Sequence, residues 1–204
     1  EIITTGRMTN LAMAVMKDTK LPKKVKRVVT MGGTLYAKGN VNPYAEANIQ
    51  GDAHASDIVF RAGFHLTLVG LDVTMKTFIT DREITNLCKY CKEDCKDIAE
   101  YIKNVLKLYF EFHRVSEGMV EQCVVHDPLA VLIAEDPSLG EYQMIRAGVE
   151  YEHEKYKGMI TYDVGFLPTL DRGEISVCIA VDSKKAVRRL FSMFQEMEFG
   201  RYNN

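Results

Sequence analysis

The sequence has no excess of charge of either sign: 26 Lys and Arg stand against 28 Asp and Glu, a formal net charge of −2. A dedicated binder of nucleic acid or of anionic membranes would carry a basic surplus, so the balance argues against both classes of partner. The chain also lacks an uncharged apolar run approaching the roughly 18 residues of a membrane span. No basic stretch followed by an apolar core reads as a signal peptide. Cysteine is sparse. The five (Cys88, Cys91, Cys95, Cys123 and Cys178) are odd in number and form no regular framework, which suggests reduced thiols and a cytoplasmic location. Internal repeats and low-complexity linkers are missing as well. What remains is a 204-residue chain that is 47% apolar and 26% charged, of one-domain length and able to bury a sizeable core.

Strand-like and helical segments alternate through the first two thirds. The opening Glu1-Ile2-Ile3-Thr4-Thr5-Gly6 reads as a strand already under way, so residues 1–204 are expected to be a single α/β domain forming the C-terminal portion of a longer one. Thr9-Asn10 can cap a helix with Leu11, Ala12, Val15 and Met16 on its apolar face, broken by Pro22. Residues 25–31 follow as a buried strand ending at Gly32-Gly33, and a loop rich in Gly, Asn and Pro runs through 34–48. Asp52 caps a helix over 53–62, and 64–73 is a near-continuous apolar run, as in a parallel strand buried on both faces. Ile84, Leu87, Cys88, Cys91, Cys95, Ile98, Ile102, Val105, Leu106 and Tyr109 recur at helical steps. Asp127-Pro128 reads as another helix cap. Residues 148–164 and 175–181 alternate like hairpin strands, and a helix over 183–198 closes the chain. The order implies an α/β fold: a mostly parallel sheet flanked by helices, with a small antiparallel extension.

Several groupings are candidates for chemistry. Cys88, Cys91 and Cys95 have a metal-like spacing, but they share a stripe with Ile84, Ile98 and Ile102, so core packing is the favoured reading over a metal-thiolate site. The basic runs at 20–27 and 184–189 lack interleaved aromatics and read as solvated surface. The loop Gly39-Asn40-Val41-Asn42-Pro43-Tyr44-Ala45-Glu46-Ala47-Asn48 is more informative. It follows a buried strand, where α/β proteins bind ligands, and Asn40, Glu46 and Asn48 suit a neutral polyol. It reads equally as a turn whose residues serve backbone geometry. His126-Asp127 presents an acid beside an oxygen ligand, although a helix cap and an interior histidine explain the pair more simply.

Taken in order, Thr5-Gly6-Arg7-Met8-Thr9-Asn10-Leu11-Ala12, Met31-Gly32-Gly33, Gly39-Asn40, Ala45-Glu46-Ala47-Asn48-Ile49, Val69-Gly70-Leu71-Asp72-Val73-Thr74 and His126-Asp127-Pro128-Leu129-Ala130-Val131 resemble the nucleoside hydrolase family, the calcium-dependent N-ribohydrolases of the inosine-uridine type. The series spans almost the whole chain. The resemblance implies a calcium ion with the Thr5 backbone carbonyl and the Asp127 carboxylate among its ligands. It implies that Asn40 and Glu46 hold the ribose 5′-hydroxyl, that Asn48 contacts the ribose hydroxyls near the anomeric carbon, and that Met31 packs against the sugar. His126 would face the base and protonate it as it leaves, which makes His126 and Asn48 the residues at the reacting centre. C1′ would pass through an oxocarbenium-like state, as in other glycoside hydrolysis. The implied partners are a small ribonucleoside and further copies of the chain, as a dimer or tetramer.

Two departures qualify these expectations. The family's Asp-x-Asp-x-x-x-Asp-Asp cluster, which supplies the catalytic base and further calcium ligands, has no match in residues 1–204, so this stretch is expected not to turn over by itself. Ala47 stands where the inosine-uridine enzymes usually carry phenylalanine, which enlarges or softens the sugar pocket and leaves the substrate preference open. The competing expectation is a non-catalytic nucleoside- or ribose-binding protein on the same scaffold.

Overall fold

A computed structural model describes residues 1–163, 172–192 and 194. In chain order its elements are β1 (Ile2–Thr4), α1 (Thr9–Lys17), α2 (Leu21–Lys24), β2 (Val28–Met31), α3 (Ala47–Gly51), α4 (Ala53–Arg61), β3 (Leu66–Val69), α5 (Leu71–Thr74), β4 (Phe78–Thr80), α6 (Asp81–Tyr90), α7 (Lys96–Glu117), β5 (Gln122–Val124), α8 (His126–Glu135), β6 (Gly140–Val149), β7 (Ile160–Tyr162), β8 (Gly173–Val181) and α9 (Ser183–Ser192). The main sheet has six strands in the order β1-β2-β3-β8-β6-β7. The first four run parallel, while β6 is antiparallel to both β8 and β7. The expected α/β class, with a mostly parallel sheet and an antiparallel extension, is the observed one. A separate two-stranded ribbon pairs β4 with β5.

Every residue of β2 is buried, as a parallel strand covered on both faces must be. One face packs on α1 and α4 through Leu11, Val15, Val59 and Phe60, the other on α8 through Leu129, Leu132 and Ile133. A third apolar cluster lies off the sheet, where α6, α7 and α9 meet around Ile84, Leu87, Ala99 and Phe191.

Several boundaries differ from the sequence reading, each for a local reason. Met8, not Thr9 or Asn10, stands at the α1 N-cap, without a side-chain cap; the Thr9 hydroxyl donates instead to Asp52 Oδ2 at 2.5 Å. Helix α1 ends at Lys17, and Pro22 sits in the first turn of α2, where a missing N–H costs nothing. The apolar run 64–73 is a strand and then a helix. Gly70 turns the chain so that the Leu71 N–H meets the Gly33 carbonyl at 2.9 Å. The long helical pattern is also divided: Cys91 ends α6 in an extended conformation, so Cys88, Cys91 and Cys95 share no helix face. Helix α8 begins at His126 with Val125 as its N-cap, and Asp127 makes no capping bond. Strand β6 begins at Gly140, earlier than expected, because its first half is largely exposed and pairs with β8 through backbone bonds. The expected helix over 183–198 is described as helical to Ser192, and positions 193 and 195–198, like position 164, lie outside the described residues.

Candidate functional site

The parallel strands end at one edge of the sheet, and the chain that leaves them builds a cavity of about 590 Å³. Thr5 follows β1, and Met31 is the last residue of β2. Next, Gly33 adopts φ 73°, and a Cβ there would collide with Ile160 Cδ1. The following loop is pinned by a buried carboxylate: Asp72 accepts from the N–H groups of Leu35 at 2.9 Å, Tyr36 at 2.7 Å and Ala37 at 2.9 Å. At the far end of the loop, Glu46 is 2% exposed and caps α3. Its Oε1 accepts from the Asn48 N–H at 2.9 Å, and its Oε2 from Gly33 at 2.9 Å and Ile49 at 3.2 Å. Three of about four acceptor positions are thereby occupied, leaving one for a ligand. Burial raises the Glu46 carboxyl above its ordinary pKa against the pull of these N–H groups, with the Asp127 charge adding to the rise.

The amides divide between scaffold and cavity. Asn40 Oδ1 accepts from the Ala47 N–H at 3.0 Å, while Asn48 Nδ2 donates to the Met31 carbonyl at 3.1 Å and touches Met31 Sδ at 3.3 Å. The polar side chains of the loop thus fix its backbone, as the turn reading has it, and also line the cavity. Ala47 is exposed, and its N–H serves Asn40.

His126 and Asp127, at the start of α8, also border the cavity. His126 Nδ1 lies 2.8 Å from the Thr74 hydroxyl, in α5. Burial, and then His113, lower the imidazole pKa to about 4, so the ring is neutral at neutral pH. His113 comes from α7: it is buried, bonded through Nδ1 to the Tyr109 carbonyl at 3.0 Å, with its ring 6.5 Å from that of His126. Desolvation raises the Asp127 carboxyl as well. The rest of the lining is mainly apolar, with Ile84 and Leu87 of α6, Ile102 and Leu106 of α7, and Leu190 and Phe191 of α9, and Tyr109 and Cys123 add a phenol and a thiol.

All seven residues singled out from the sequence (Thr5, Met31, Asn40, Glu46, Asn48, His126 and Asp127) border this cavity. Sequence reasoning gave no role to Asp72, Thr74 or His113. The first two stand in a quoted motif, but the groups they bond come from segments about 35 and 52 residues away. His113 had no signal beyond its place in a helical run.

The donors that a hard cation would need are present only in part. The Thr5 carbonyl and the Asp127 carboxylate offer oxygen, the right element for calcium, which takes six to eight such ligands. Among the described residues no group of three or more His, Cys, Asp or Glu side chains could hold a metal. These residues therefore do not make a complete calcium site. The thiols of Cys88 and Cys91 lie against the carbonyls of Ala99 and Cys88, at 3.5 and 3.8 Å.

The model of the family "Inosine-uridine preferring nucleoside hydrolase" matches residues 1–188. The chain belongs to that nucleoside hydrolase family. It is 32% identical over 194 residues to a probable uridine nucleosidase 2 of Oryza sativa subsp. japonica, covering 91% of this chain and 55% of the relative. A solved plant nucleoside hydrolase superposes with a TM-score of 0.84 at 30% identity, over 93% of this chain and 61% of that one. A purine-preferring ribonucleoside hydrolase from Gardnerella vaginalis gives a TM-score of 0.82 at 31% identity, over 93% and 58% of the two chains. This nucleoside hydrolase chain spans about half the length of the curated relatives it matches. Among its described residues no helix is long and apolar enough to cross a membrane.

Proposed function

We propose that this chain forms the ribose- and base-holding part of a nucleoside hydrolase that cleaves the N-glycosidic bond of ribonucleosides. The observation that carries the reading is the convergence of Met31, Asn40, Glu46, Asn48, His126 and Asp127 on one cavity with a polar end and an apolar end. At the polar end, the free acceptor position on Glu46 and the amide of Asn40 take the 5′-hydroxyl. Asn48, fixed by its bond to the Met31 carbonyl, presents its remaining oxygen to the hydroxyls beside C1′. Met31 supplies the apolar floor of the sugar. The base lies against the side chains of α6, α7 and α9, where packing rather than hydrogen bonding holds it.

Hydrolysis breaks the bond from C1′ to the base nitrogen and forms one from C1′ to a water oxygen. His126 serves the leaving side. With Nδ1 accepting from the Thr74 hydroxyl, a neutral ring carries its one proton on Nε2 and offers it as a hydrogen bond to the departing base, while full protonation of the base needs the imidazolium form that the low pKa makes scarce at neutral pH. Thr74 fixes that tautomer, and His113 helps keep the ring uncharged. Thr5 and Asp127 add two oxygens toward a calcium ion without completing its shell, and nothing in the reading assigns a base to take the proton from water. The 204-residue chain therefore binds without turning over. A cytoplasmic location and assembly as a dimer or tetramer belong to the same reading. The incomplete metal-ligand set is the one observation that favours the second reading, a non-catalytic binder.

Calorimetric titration of the chain with ribose, uridine and inosine, run beside an assay for released ribose, tests the proposal. The expected result is binding without release, with affinity reduced about tenfold or more in Asn48→Ala. Release at an enzyme-like rate overturns the claim of inactivity. If neither ribose nor nucleosides bind, the whole reading fails.

A further inference from the structure

Helix α5 is a single turn, Leu71–Thr74, that reaches toward both ends of the cavity without lining it. A Cβ on the preceding Gly70 would come within 2.8 Å of the Gly33 carbonyl, so the chain passes close to the start of the loop that carries Asn40 and Glu46. Asp72 faces that loop and accepts from Leu35, Tyr36 and Ala37, three to five residues before Asn40. Thr74 serves His126 Nδ1 instead. Residues two apart on a helix stand about 200° apart around its axis, so one turn can hold two opposite neighbours. The turn is itself fixed. Leu71, Val73 and Thr74 are buried, and the Thr77 carbonyl just beyond takes the N–H of Val125, the residue before His126, at 3.0 Å.

We propose that α5 holds the sugar end and the leaving-group end of the cavity at a set separation, with Asp72 as the positioning residue for the sugar. The inference rests on the proposed function and adds to it a side chain that touches no ligand. Asn40 can meet the 5′-hydroxyl without an ordering cost only if its loop is in place before the sugar arrives. Bonds such as those from the Thr34 hydroxyl to the Ala37 carbonyl, at 2.7 Å, and from the Gly39 N–H to the Pro43 carbonyl, at 3.3 Å, shape the loop but run within it. The three bonds to Asp72 tie its first half to the rest of the molecule, and buried donors are costly to leave unmade. Asp72→Asn tests this tie with little change of shape. Its one oxygen can keep Tyr36 and Ala37, which sets the amide nitrogen against the Leu35 N–H, donor against donor.

Calorimetry with ribose, and a long-range 15N–1H spectrum of the His126 ring at neutral pH, read the two ends separately on the whole chain. Asp72→Asn should weaken ribose binding about tenfold and leave His126 in one tautomer. Thr74→Val should spread the ring over both tautomers and cost less than twofold in ribose affinity. A merely structural role would move both readouts together. Asp57→Asn is the control: this carboxylate is as buried as Asp72 and accepts the Val149 N–H at 2.9 Å, but it does not border the cavity, so ribose affinity should stay unchanged. Wild-type affinity in Asp72→Asn overturns the proposal, as does an equal loss in Asp57→Asn or a change of both readouts in both α5 variants. If Asp72→Asn does not fold, the wild type decides. Saturating ribose should slow amide exchange at Leu35, Tyr36 and Ala37 several-fold, and exchange indifferent to ribose overturns the proposal. A wild-type chain that binds no ribose overturns the proposed function along with it, which sets that failure apart from the others.

Discussion

The cavity has two walls held by different forces. The strand-end wall, from Gly32 to Ile49 with Asp72 beneath it, is fixed by carboxylates that accept backbone N–H groups: three on Asp72 and three on Glu46. The helical wall of α6, α7 and α9 is fixed by the contact of aliphatic and aromatic side chains, and the residues of α7 that face the cavity are only half-buried. Directional bonds specify one geometry and are costly to leave unmade; apolar contacts tolerate repacking. In the proposed function the bonded wall is the one that would match a sugar hydroxyl by hydroxyl, and the plastic wall the one that would meet the variable part of a nucleoside.

The largest effect should come from cutting the bonded wall. Glu46→Ala leaves three N–H donors, two of them buried, without a partner and should cost about 3 kcal/mol in urea unfolding. A loss no greater than that of a single apolar truncation would remove the distinction between the walls.

Acid comes next. His126 has its pKa depressed to about 4 in the folded protein, against about 6.5 unfolded, so the unfolded chain binds more protons between those values. Stability is therefore full above about pH 6.5 and is lost as the pH falls toward 4, by up to about 3 kcal/mol. Melting temperatures across that range should show the slope, and His126→Asn should flatten it.

A smaller effect is expected in the plastic wall. Leu106→Ala removes a half-buried side chain and should cost about 1–2 kcal/mol. Calorimetry should find ribose affinity unchanged and nucleoside affinity lowered several-fold; equal losses for both would mean that the two walls act as one.

The smallest is Asp127→Asn. The folded protein raises this carboxyl by desolvation and so disfavours its charge, a penalty that builds as the pH rises from the ordinary value to the raised one and is constant above it. Removing the charge should shift stability at pH 7 by no more than about half a kcal/mol, and upward if at all.

Legibility followed the same division. The elements of the bonded wall stood out in the residues, because Gly33, Asn40, Glu46 and Asn48 are types whose special backbone or hydrogen-bonding needs are written locally. The helical wall was misread as one continuous pattern through Cys91 and Cys95. A helical period persists in the residues across a break that the backbone makes with one extended residue at Cys91. Asp127 reads as a cap because its local context allows one, and only the start of α8, with Val125 as its N-cap, shows that the carboxylate is not spent there.

By itself the sequence determined the α/β alternation, the buried parallel strands and the residue types gathered at the cavity, since propensity, burial period and turn chemistry act over a few neighbouring residues. Tertiary structure decided which groups meet. It brought Thr74 to His126 across 52 positions and Asp72 to the 35–37 loop. The physical reason is range: a side chain's preferences are local, but its partners are chosen by how whole elements pack, and packing is a property of the assembled chain.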